Sequence, residues 1–148
     1  MPDCELVMPD NFAPPVTAER EFGAADGGGL QGLRVLIVED EALVAIDLQY
    51  AFEDAGAKVV GPAMSLSYAL ALAGEAEIDC ALLDVDIAGQ DVYPVAQALQ
   101  LRGIPFIFHT GHGSRRTHGE MFPGAITCLK PTLSNVLIDL LAALQKGA

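Results

Sequence analysis

From residue 33 onward, short unbroken apolar runs alternate with longer stretches that carry apolar residues at helical spacing, and this alternation constrains the fold more than any other feature. Five runs have strand character: Arg34–Val38, Lys58–Gly61, Cys80–Leu83, Pro105–His109 and Ala125–Leu129. They lack the polar alternation of a half-wet sheet, so both faces need cover, which is the condition of a parallel sheet wrapped by helices. The intervening stretches supply that cover. Ala42–Ala55 places Val44, Leu48, Ala51, Phe52 and Ala55 on one stripe ahead of Gly56, and Ser65 stands where a second helix begins. Val92–Leu101 carries Val92, Val95, Ala96 and Leu99 before Gly103. The last helix spreads Leu133, Val136, Leu137, Leu140, Leu141 and Leu144 over one broad face. The prediction is an α/β domain over 33–148, built on a doubly wound, five-stranded parallel sheet. The 111–124 stretch, with four Gly and one Pro, predicts a short and weak helix. The wide leucine face of the last helix predicts core, with room left for a homodimer or partner surface.

Composition narrows the function. A chain of 148 residues that is 51% hydrophobic supports one core. Its formal charge of −12 opposes contact with a phosphate backbone, so no nucleic-acid partner is expected. No apolar run reaches the roughly 20 residues a bilayer requires, and the start of the chain is acidic and Pro-rich, unlike a signal peptide. A cytoplasmic protein without a membrane partner is expected. Cys4, Cys80 and Cys128 are odd in number and lack C-x-x-C spacing, which speaks against a disulfide framework or a zinc cluster. Residues 1–32 hold six acids, one Arg, four Pro and the run Gly27–Gly29, and predict a flexible tail.

In an open parallel sheet, ligands sit beyond the carboxyl ends of the strands, where loops leave and helices begin. At those ends stand Glu39, Asp40 and Glu41 after the first run, Asp84 and Asp86 after the third, Thr110 after the fourth, and Lys130 with Pro131 after the fifth. Clustered carboxylates hold their charge at low cost only beside a cation, and hard oxygen donors suit Mg²⁺. With the metal bound, an Asp can act as a nucleophile toward phosphorus while a hydroxyl and an ammonium hold the phosphoryl oxygens.

These residues resemble the receiver domain of two-component response regulators: the pair Glu39-Asp40, then Asp84, then Thr110-Gly111, then Lys130-Pro131, in order from about Leu33 to the C-terminus. The resemblance implies a flavodoxin-like (βα)5 fold and a single-domain response regulator without an output domain, acting by phosphorelay or by phosphorylation-dependent protein binding. It implies that Asp84 accepts a phosphoryl group from a phosphohistidine of a sensor histidine kinase or histidine phosphotransferase. By the same resemblance Asp40 binds Mg²⁺, Glu39 assists through water, and the Asp86 backbone carbonyl is a further ligand. Thr110 and Lys130 hold phosphoryl oxygens and Gly111 leaves room beside them. Such a protein is a phosphoprotein that acts through an unknown protein target, and is not a turnover enzyme.

Phe108-His109-Thr110-Gly111 is similar to the Phe-Ala-Thr-Gly motif of a receiver subgroup, with His109 in place of Ala. Thr127 stands three before Lys130, where receivers commonly have a switch aromatic, and the usual Pro is missing from the loop Asp84–Gly89. His112 sits where the family tunes phosphoryl lifetime. Two alternatives compete. Asp84-Val85-Asp86 also reads as the D-x-D of a haloacid dehalogenase-like, Mg²⁺-dependent phosphatase, although there the motif ends the first core strand, whereas here other acids precede it. The other alternative is a binding module that works without phosphorylation.

Overall fold

The computed structural model describes residues 6–7, 29–111 and 121–147. Strands are β1 (Leu6–Val7), β2 (Arg34–Val38), β3 (Lys58–Ala63), β4 (Cys80–Leu83), β5 (Asp86–Ile87), β6 (Gln90–Asp91), β7 (Phe106–Thr110) and β8 (Ile126–Leu129). Helices are α1 (Ala42–Asp54), α2 (Leu66–Glu75), α3 (Tyr93–Leu101) and α4 (Ser134–Gly147). The main sheet runs β1-β8-β7-β4-β2-β3. Its five strands from β8 to β3 are parallel and in the doubly wound order expected, with β2 at the switch between the two directions of winding. The short helix expected within 111–124 falls largely outside the described residues.

Continuous apolar strands are covered on both faces, as their composition demands. Val35, Ile37, Leu82 and Ile107 pack with Phe52 of α1 and Leu137 and Leu141 of α4. Leu36, Leu83 and Phe108 pack on the opposite face with Ala69 of α2 and Val95 and Leu99 of α3. Ser65 caps α2, its hydroxyl accepting from the Tyr68 N–H at 3.3 Å. The other end of α2 is closed from α3, because Arg102 donates to the Ala73 and Ala76 carbonyls at 2.6 and 2.8 Å. Most of the leucine face of α4 is spent on the core, with Leu137, Leu140 and Leu141 buried and Leu133 exposed.

Most of residues 1–32, expected to be a flexible tail, lie outside the described residues, but two findings concern those that are described. Leu6 and Val7 pair antiparallel with Cys128 and Thr127, adding an edge strand to the sheet. Leu30 is fully buried against the α1 side of the core, and its N–H donates to the Ala55 carbonyl at 3.0 Å. A two-residue strand and a single leucine beside a Gly run carry no periodicity, so the pattern that exposes the other elements passes over them. The packed domain thus begins by Leu30 rather than at Leu33. Gly56 belongs to this junction: its φ is +98°, and a Cβ there would lie 2.5 Å from the Gln31 side chain. Among the described residues no helix is long and apolar enough to cross a membrane.

Candidate functional site

The carboxyl ends of β2, β4, β7 and β8 deliver Glu39, Asp84, Thr110 and Lys130 to one end of the sheet. Parallel register produces this convergence: Val38 lies beside Leu83, and Thr110 beside Leu129, so the residues that follow the strands emerge at one level. Glu39, Asp84 and Thr110 are buried, and a cleft of about 480 Å³ opens over Asp40, Asp84, Asp86, Thr110 and Lys130.

Lys130 organises the cluster. Its ammonium donates to Glu39 Oε1 at 2.8 Å and to Asp84 Oδ2 at 3.2 Å, with Glu41 at 3.7 Å. The Glu41 N–H donates to the second Glu39 oxygen at 3.1 Å. Carboxylate oxygens of Glu39, Asp40 and Asp84 all lie within 4.8 Å of one another. Burial and the Glu39 charge push the Asp84 carboxyl up to about 7 against the pull of Lys130. Burial works against the Lys130 ammonium, yet bonding to Glu39 and Asp84 outweighs it and holds its pKa above the ordinary value. Three close carboxylates with one ammonium leave an excess of negative charge that a small divalent cation would neutralise, and their oxygens are the hard donors Mg²⁺ prefers. The donor set therefore fits that ion.

The loop after β4 forms despite lacking a proline. Asp86–Ile87 pairs with Gln90–Asp91 around Ala88 and Gly89, whose φ values of +53° and +85° are those of a tight hairpin turn. Asp40 accepts the Ala88 N–H at 2.8 Å, and Asp86 accepts the Gly89 N–H at 2.9 Å. Ala88 was not singled out by the sequence pattern, since alanine carries no mark of a left-handed turn. The Asp84 Oδ1 to Asp86 N–H contact is longer, at 3.4 Å. Among the described residues, a Cβ at Gly111 would meet nothing within 4 Å.

Glu39, Asp40, Asp84, Thr110 and Lys130 are all brought to this end of the sheet, and Asp86, expected to contribute its backbone carbonyl, also lines the cleft, with its exposed side chain turned into its own hairpin. Lys130 is joined to Pro131 by a cis peptide. His112 lies outside the described residues. Two features escaped the sequence pattern. His109 is buried with neither ring nitrogen hydrogen-bonded among the described residues, and burial together with Lys130 lowers its pKa to about 4. On α1, Leu43, Ile46 and Tyr50 form an exposed apolar stripe opposite the buried one, on the helix that begins directly after Asp40 and Glu41. Cys80 is buried, its thiol pushed up to about 12 by burial and by Asp79, which agrees with a structural role.

The model of the response regulator receiver domain matches residues 35–141, which spans the whole sheet from β2 to β8 and most of α4. The chain belongs to the response regulator receiver family. This receiver is 32% identical over 100 residues to the phyllosphere-induced regulator PhyR of Methylorubrum extorquens, covering 66% of this chain and 38% of that protein. The crystal structure of PhyR from Brucella abortus superposes with a TM-score of 0.70 at 29% identity, over 85% of this chain and 53% of that one. The chain therefore spans about half or less of these PhyR proteins. SdrG from Sphingomonas melonis Fr1 is matched along almost its full length: 37% identity, TM-score 0.63, 79% of this receiver and 98% of SdrG.

Proposed function

We propose that this receiver accepts a phosphoryl group on Asp84 and acts as a phosphorylation-dependent signalling protein. The observation that carries the reading is the Lys130 ammonium shared between Glu39 and Asp84 in a cluster that also holds Asp40, all at the carboxyl ends of parallel strands. An Asp84 oxygen attacks the phosphorus of a phosphohistidine; the P–N bond breaks and the imidazole nitrogen leaves with the electron pair and takes up a proton. Asp40, Asp84 and the Asp86 backbone carbonyl would hold Mg²⁺, with Glu39 assisting through water, and the bound ion supplies charge neutralisation at the phosphoryl oxygens. The Thr110 hydroxyl donates to one phosphoryl oxygen. Lys130 pairs with another through a charge-assisted bond.

The donor is a histidine kinase or histidine phosphotransferase, and the exposed stripe Leu43, Ile46 and Tyr50, on the helix that starts after the cleft residues Asp40 and Glu41, is where it docks. The downstream partner is a protein whose affinity changes with the state of Asp84. A phosphatase reading would give the Asp86 carboxylate an acid–base role, but that group is engaged with the Gly89 N–H in the hairpin. Labelling by acetyl phosphate tests the metal assignment. Asp40→Asn should keep the fold and lose Mg²⁺-dependent labelling, and a variant labelled at the parent rate would refute the placement.

A further inference from the structure

Without β1, the outer edge of the parallel sheet would be β8, an apolar strand with one row of main-chain groups open to solvent. The Lys130 N–H donates to the Thr110 carbonyl at 2.8 Å, toward β7. Peptide groups alternate along a strand, so the N–H of Cys128 also points to β7 while the N–H and C=O of Thr127 point outward. There β1 lies, with Val7 opposite Thr127, which makes these two residues the pair that exchanges both bonds. Pro9 is two residues after Val7 and in the same phase, and since proline cannot donate, it removes the next donor toward β8 and leaves a ladder that is easily opened. The 21 residues between Val7 and Gly29 reach up to ~70 Å, ample for the segment to lie on its own sheet.

We propose that the outer edge of β8 is a strand-docking surface occupied by the chain's own N-terminal segment, and that phosphorylation of Asp84 releases it. The second half rests on the assignment of Asp84 above. Because β1 is antiparallel, its N-terminal end lies at the end of β8 that continues into Lys130, and Glu5 adjoins that end in sequence. A phosphoryl group carries more negative charge than the carboxylate it replaces, and the sequence around the docked strand, with Asp3, Glu5 and Asp10 and no Lys or Arg in residues 1–10, is repelled by that added charge. By linkage, a docked strand disfavours the phosphorylated state to the same degree. Release uncovers main-chain groups with which an extended partner segment can pair.

Amide exchange in the full-length chain with Mg²⁺ tests both halves, with Val7→Pro removing the donor on the docked strand. Thr127 should exchange about tenfold faster in the variant while Cys128 is unchanged. Equal Thr127 rates, or equal acceleration at both residues, would overturn docking. Thr127 protection that grows with protein concentration alongside a dimer mass would place the strand in another copy and overturn occupancy within one chain. Beryllofluoride then stands in for the phosphoryl group, its binding read by fluorine NMR. Binding with Thr127 exchange about threefold faster in the parent, and no further change in Val7→Pro, is the expected result. Binding without acceleration overturns release. Absence of binding counts against the assignment of Asp84 and takes release with it, while the Val7→Pro comparison still decides docking.

Discussion

Asp84 and His109 lie one strand apart and hold opposite protonation biases. The buried Asp84 carboxyl is pushed up to about 7, so in the absence of metal the folded state binds a proton that the unfolded state has lost, and stability falls as pH rises from about 4 to 7. Asp84→Asn removes that cost. Without Mg²⁺ at pH 7 it should be more stable than the parent by about 1–2 kcal/mol, less than the full shift because the cleft admits screening solvent. A denaturant midpoint at or below the parent's would contradict this. His109 acts in the other direction. Its folded pKa near 4 lies below the ordinary 6.5, so the unfolded state takes up the proton first, and its contribution to stability is lost as pH falls from about 6.5 to 4. The effect amounts to at most about 3 kcal/mol. His109→Leu keeps the bulk and removes two nitrogens that have no hydrogen bond among the described residues, so the variant minus the parent should show a stability gain that grows on acidification through that window. A difference independent of pH would sink the account of His109.

Among the elements, α1 has two apolar stripes and only one is used by the core. Phe52 and Leu48 face the sheet, while Leu43, Ile46 and Tyr50 are exposed on the opposite face. Leu43→Ser with Ile46→Ser should slow phosphoryl transfer from a phosphohistidine protein about tenfold or more, because apolar anchors dominate docking, and should leave labelling by acetyl phosphate unchanged. Equal slowing with both donors would mean the stripe supports the site rather than the donor. The five parallel strands were legible because each is an unbroken apolar run with a turn signal after it, and their predicted bounds agree to within about two residues. The hairpin β5–β6 was not, since it rests on Ala88 at positive φ, held by the Asp40 carboxylate from a distant loop. The stripe named for the core, Val44, Leu48, Ala51, Phe52 and Ala55, does pack on the sheet, but that pattern says nothing of the apolar residues left exposed on the opposite face.

At the scale of the molecule, the chain closes its sheet and its core with residues that the pattern assigned to a tail. Leu30 fills the core beside Phe52, Ala55 and Ala57. Removing residues 1–32 should therefore cost about 2–4 kcal/mol more than removing 1–28, the usual penalty for deleting a buried leucine. Indistinguishable unfolding midpoints for the two truncations would show that Leu30 contributes nothing to the core. The candidate site, by contrast, was legible almost whole, because a parallel sheet sends the residues after its strands to one end whatever the details of packing. The chemistry proposed for that end is tested most directly by intact mass after incubation with acetyl phosphate and Mg²⁺, parent against Asp84→Asn. One added phosphoryl group in the parent and none in the variant is the predicted result; a variant that still gains the group would contradict the assignment of Asp84.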